Sequence, residues 1–154
     1  MGVPVVAHLL RMETERIKGA VFLCGTVTNP FENMFRSNRM LHVYKASALL
    51  HDLAPGVMSQ LWRKFTEKNR LNYFITSRLG FNANRAEEHD VLLYMEGVNR
   101  TPFAVFNALM RDYTRFDGRE LLMGIEIPVL LIAGENDFIT PIELQEEMAT
   151  LLPK

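Results

Sequence analysis

Asp137 stands between an unbroken apolar run, Val129 to Ala133, and a helix start written Thr140-Pro141-Ile142-Glu143. In an open α/β sheet the loop after a strand is the carboxyl edge, where ligands and reacting groups gather. A lone aspartate in such a loop also serves to organise the turn, so its position alone leaves both roles open. The other residues with reactive side chains fall into no working pattern. Ser37, Ser47, Ser59 and Ser77 lack the flanking glycines of a nucleophile elbow. His8, His42, His51 and His89 all precede Asp137, and no pair has the spacing of an H-E-x-x-H metal site. Cys24, the only cysteine, closes a short apolar run and is expected to be packing. No metal or cofactor is expected.

The elements that must position Asp137 can be read from the same patterns. Apolar runs without polar alternation are the habit of strands buried on both faces of a parallel sheet. Two are present, Gly19 to Cys24 and Val129 to Ala133, each ended by a glycine, Gly25 and Gly134. Thr140 is the expected N-cap of the last helix, with Pro141 at its first position and Glu143 closing a capping box. Leu144, Met148, Leu151 and Leu152 give that helix one apolar stripe. A first helix with Val6, Leu9 and Leu10 on its inner side opens the chain.

Between the two strand patterns nothing resembles a third. Pro55-Gly56 leads into Met58, Leu61, Trp62 and Phe65; Leu71 to Leu79 suits helix or extended chain; Ala86-Glu87-Glu88 places acid in a first turn. Thr101-Pro102 repeats the N-cap and N1-proline signature before Phe103, Phe106, Met110 and Tyr113. Such a block is too long for a simple crossover and reads as a helical lid. The domains expected are thus 1–26 as core, 27–118 as a helical cap and 119–154 as core.

Bulk properties exclude several classes. The chain has 154 residues, 48% of them apolar and 23% charged, with a net charge of −1. That balance describes an ordinary globular protein with no basic surface for nucleic acid. No run of eighteen apolar residues allows a membrane span, and a cytoplasmic setting is the default expectation.

The order helix, strand, helical insertion, strand, Asp loop, helix resembles the second half of an α/β-hydrolase over the whole length. Ile127 to Pro141 is similar to that family's P-x-L-x-I-x-G-x-x-D-x-x-x-P segment, with Asp137 and Pro141 in register. Met1-Gly2 is similar to the last two positions of the family's G-x-S-x-G elbow. The resemblance implies an α/β fold class: a partial parallel sheet of an α/β-hydrolase core with an inserted α-helical cap.

It implies further that Asp137 is the acid of a Ser-His-Asp triad. There it would accept the Nδ1–H of an imidazole and stabilise its cationic form. The backbone N–H of Met1 would be an oxyanion donor once joined to upstream chain. The nucleophile is expected just before residue 1 and the histidine just beyond Lys154, so the 154 residues alone are expected to be inactive. The implied activity is that of a serine hydrolase, carboxylesterase- or lipase-like, on a small-molecule ester with an apolar portion, some lid aromatics lining an acyl pocket. An epoxide hydrolase or haloalkane dehalogenase chemistry is the alternative within the fold, kept open by Trp62, Tyr44, Tyr73, Tyr94 and Tyr113 and disfavoured by Met1 where those relatives carry Trp. A truncated, non-catalytic interaction module is the alternative outside it. Exposed sheet edges would open a route to self-association.

Overall fold

Ala20–Leu23 (β1) and Val129–Ile132 (β2) pair in parallel, Ala20 opposite Val129 and Leu23 opposite Ile132. The computed structural model describes residues 2–12, 14–82 and 84–153. The ladder is extended by Ala20 N–H donating to the Pro128 carbonyl and Cys24 N–H to that of Ile132. Alternate residues of a parallel strand face opposite neighbours, so Val21 and Leu23 direct their backbone polar groups away from β2. Among the described residues no third strand meets them.

The chain divides into two compact units, one of Met1–Met40 with Arg111–Lys154 and one of Leu41–Met110. In the first, helix α1 (Gly2–Met12) buries Val3, Ala7 and Leu10, spaced i, i+4, i+7. This stripe is rotated from the expected one: Leu9 is exposed and Val6 only half-buried. Together with Phe22, Val27, Leu122, Ile125 and Met148 these side chains form the core, with Ala20, Val129 and Leu131 packed against it. Gly25 is required here, since a Cβ on it would lie 2.7 Å from Val3 Cγ2.

In the second unit, α2 begins just upstream and spans Arg39–Leu53, followed by α3 (Pro55–Thr66), α4 (Arg70–Leu79), α5 (Glu88–Arg100) and α6 (Phe103–Tyr113), which runs on into the first unit. The ambiguous stretch around Leu71 to Leu79 is helical because Asn69 caps it: its side chain accepts the Asn72 N–H at 2.9 Å. Trp62 stacks on Phe106 at 5.0 Å between centroids and meets Phe103 edge-on, while its indole N–H donates to the Thr101 carbonyl. Back in the first unit follow α7 (Arg119–Met123) and α8 (Ile142–Leu151).

The expected α/β class is overturned. Helices account for 62%, and the two four-residue strands are too little for an α/β-hydrolase core sheet. Nor are the strands buried on both faces. Phe22 is 1% exposed on the inner face, whereas Val21, Leu23, Leu130 and Ile132 on the other are 58, 64, 56 and 43% exposed. The physical reason is that a continuous apolar run fits a doubly covered strand but does not bring a second layer to cover it. The helical block expected over 27–118 meets a division at Met40/Leu41 and Met110/Arg111 instead. Residues 27–31 of that block lie buried in the first unit, continuous with the buried Gly25 and Thr26.

That buried stretch is held by polar contacts. Tyr113 donates its phenol to the Thr26 carbonyl at 2.7 Å, and Gly118 N–H donates to the Val27 carbonyl at 2.8 Å. Burial raises the Tyr113 pKa above the usual tyrosine value. A folded-state pKa raised in this way leaves stability complete at neutral pH and drains it as pH climbs through the folded value. Tyr113→Phe is expected to cost about 1–3 kcal/mol at neutral pH by stranding the Thr26 carbonyl. In denaturant titrations near pH 11 the gap between variant and parent should shrink.

Candidate functional site

The loop after β2 folds back on itself through Asp137. Its N–H donates to the Gly134 carbonyl at 3.1 Å. Its Oδ1 accepts the N–H of Ile139 at 2.8 Å and of Thr140 at 2.9 Å, and its Oδ2 accepts the Thr140 hydroxyl at 2.9 Å. The carboxylate is half-buried and fixed in one orientation. A carboxylate oxygen offers about two acceptor sites, so Oδ2 keeps one for a further donor.

This arrangement removes the expected capping box. Thr140 spends its hydroxyl on Asp137, and α8 starts at Ile142 with Pro141 as an N-cap that forms no side-chain bond. Glu143 turns to Arg36 at 3.0 Å. Its carboxyl is held below the usual range by its own backbone N–H and by the Arg36 guanidinium. Thr101 behaves likewise: it donates to the Gly97 carbonyl at 3.0 Å and closes α5 instead of opening α6. A short hydroxyl bonds whichever acceptor the loop brings nearest, and sequence order does not decide which.

A second strand of contact joins the Asp137 loop to the turn at Asn33–Arg36. Phe35 N–H donates to the Phe138 carbonyl at 2.6 Å. Phe35 and Arg36 have φ of 57° and 51°, and Cys24, at the end of β1, has 42°. Non-glycine residues in this left-handed region cost on the order of 1 kcal/mol each and gather at sites held by their surroundings. Cys24 lies just beyond β1, and Phe35, with Arg36 next to it in the chain, bonds the loop after β2. Cys24 is exposed rather than packed, because the turn at its φ carries the side chain out of the sheet.

Behind this edge lies a polar cluster that the sequence reading missed. Thr26 and Thr28 share a hydroxyl contact at 2.8 Å, Asn29 accepts the Phe31 N–H at 3.1 Å, and the Gln145 side-chain amide donates to the Gly25 carbonyl. All four side chains are buried. The one available signal was composition: Thr-Val-Thr-Asn-Pro is rich in residues that bond their own backbone.

Among the described residues no triad is brought together. The partners of Asp137 all belong to its own loop. His8, His42 and His89 are exposed on helices; His51 packs edge-on against Phe103 at 5.3 Å, its Nδ1 buried without a partner. Ser47 and Ser77 donate to carbonyls of their own helices, those of Tyr44 and Phe74. Met1 lies outside the described residues, so its expected oxyanion role has no geometry here. No protein-family model, curated protein or solved structure matches this chain. Among the described residues no three His, Cys, Asp or Glu side chains could hold a metal ion.

Two cavities open on the first unit. One of about 230 Å³ runs along the free edge of β1, lined by Gly2, Val3, Val6, Val21, Leu23 and Cys24 among others. The other, about 480 Å³, is bordered by Glu32, Arg36, Glu143 and Glu147 together with polar and apolar neighbours, and its charge suits a polar ligand more than an acyl chain. Asp137 lines neither.

Proposed function

We propose that Asp137 is the acid of a Ser-His-Asp hydrolytic triad whose serine and histidine are supplied by polypeptide outside these 154 residues. The reaction is hydrolysis of an ester, or a related acyl bond, in a small molecule with an apolar portion. The observation that carries this reading is the carboxylate itself: oriented by three hydrogen bonds at the carboxyl edge of a parallel strand, with acceptor capacity left on Oδ2. An acid in a triad needs that combination, because it must hold an imidazole in one tautomer without moving. The role rests on the loop and not on a multi-stranded core sheet.

The loop-organising reading has its own support, since all three hydrogen bonds come from residues 139 and 140. On that reading the chain is a non-catalytic interaction module, and the bare apolar face and free edges of β1 and β2 are its binding surface, a second copy included. With the triad incomplete, the isolated chain is expected to leave a serine-directed fluorophosphonate unreacted and to turn over no ester. Stoichiometric labelling of one serine, located by peptide mass mapping, would place the nucleophile within this sequence and overturn the proposal.

A further inference from the structure

Helix α3 is apolar over two adjoining rows, and only one of them is covered. Met58, Trp62 and Thr66 turn inward, Met58 and Thr66 being buried and Trp62 half-buried. Val57, Leu61 and Phe65, one residue earlier on each turn, are bare. Lys64 falls at i+7 from Val57, on the solvent side of this bare row. On α4, Arg70, Phe74 and Arg78 recur at i, i+4 and i+8 beside Leu71; Leu71 and Phe74 are exposed, and the Arg78 guanidinium lies 5.4 Å from the Phe74 ring centre. Asn72 ties the two helices together, its amide donating to the Lys64 carbonyl at 3.0 Å and the Glu67 carbonyl at 2.9 Å.

The charge of this pair is set apart from the rest of the chain. Residues 55–79 carry five cations, Arg63, Lys64, Lys68, Arg70 and Arg78, against one carboxylate, Glu67, while the whole chain carries −1. Lys68 is engaged by Glu96 at 2.7 Å. Arg63, Lys64 and Arg70 have no carboxylate partner among the described residues.

From these two features we infer that α3 and α4 form a docking surface for an anionic lipid bilayer, lying in its interface without crossing it. Aliphatic and phenylalanine side chains enter the acyl boundary while lysine and arginine stems reach back to headgroup phosphates. Protein–protein contacts are depleted in lysine, and a nucleic acid would have no use for the bare Val57, Leu61 and Phe65. The inference stands independently of the role of Asp137.

The test is sedimentation of the full chain with sucrose-loaded vesicles, either phosphatidylcholine alone or phosphatidylcholine with about one third phosphatidylserine. Binding to the anionic vesicles should be at least about tenfold tighter than to the neutral ones and should weaken as salt is raised. Lys64→Glu and Arg70→Glu should each weaken it about fivefold or more. Leu61→Asp with Phe65→Asp should abolish it while leaving the thermal melt in place, since both side chains already face solvent. Equal binding to both vesicles, no binding to either, or undiminished binding by the Leu61→Asp, Phe65→Asp chain would overturn the inference. So would a dimer in sedimentation velocity that this double variant dissolves without any vesicle binding by the parent, for the row would then be a contact between copies.

Discussion

Phe22→Ala is expected to destabilise the protein by about 3–5 kcal/mol, the largest stability effect of any single side chain on the sheet. Phe22 is 1% exposed and lies among Val3, Ala7, Leu10, Val27, Leu122 and Met148. Removing its ring takes away the transfer free energy of a buried aromatic and leaves a cavity that helices α1, α7 and α8 cannot close without losing their own contacts. The adjacent residue gives the contrast. Val21→Thr keeps a β-branched shape and places a hydroxyl on the bare face, so its cost should stay within about 0.5 kcal/mol. Urea unfolding of the two variants measures both. A cost above about 2 kcal/mol for Val21→Thr would mean that the outer face of the sheet is covered after all.

The parallel pairing of β1 with β2 was legible because both are short, apolar, glycine-ended runs; the register of Ala20 with Val129 was not. What covers them was not. Val21 and Leu130 have the same character as Phe22 and Leu131, and nothing in an apolar side chain records whether a layer of helix lies over it. The position of Asp137 past a strand was readable; its partners were not, since the Thr140 hydroxyl could accept a helix N–H as a cap or donate to the carboxylate, and the loop geometry chose the second. Thr101 was misread for the same reason. The expected helical block takes in residues 27–31, directly after Gly25 and Thr26, because no buried-strand pattern follows Gly25. Their burial depends on hydrogen bonds from Tyr113, Gly118 and Gln145, more than eighty residues away in sequence. Long-range satisfaction of polar groups of this kind leaves no periodic trace in a single chain.

Asp137→Asn separates the two roles of the carboxylate. Asparagine keeps an oxygen for the Ile139 and Thr140 N–H groups, and its amide can donate to the Thr140 hydroxyl in place of accepting from it. The loop should therefore survive, with the melting temperature moving by only a few degrees. Asp137→Ala, which drops all three bonds, should cost about 2–3 kcal/mol. A triad acid is another matter. Without its negative charge the imidazole takes the wrong tautomer and its cation is left unsupported, which lowers kcat on the order of 10⁴-fold, or about 5.5 kcal/mol of barrier.

The decisive measurement is kcat for ester hydrolysis by Asp137→Asn beside its parent, in a polypeptide that joins this chain to the serine- and histidine-bearing segments that the proposal requires. Melting of each protein is recorded alongside. The proposal predicts a fall of about 10⁴-fold in kcat with the melt nearly unchanged. A rate within a few fold of the parent would contradict it and leave Asp137 as the residue that folds its own loop.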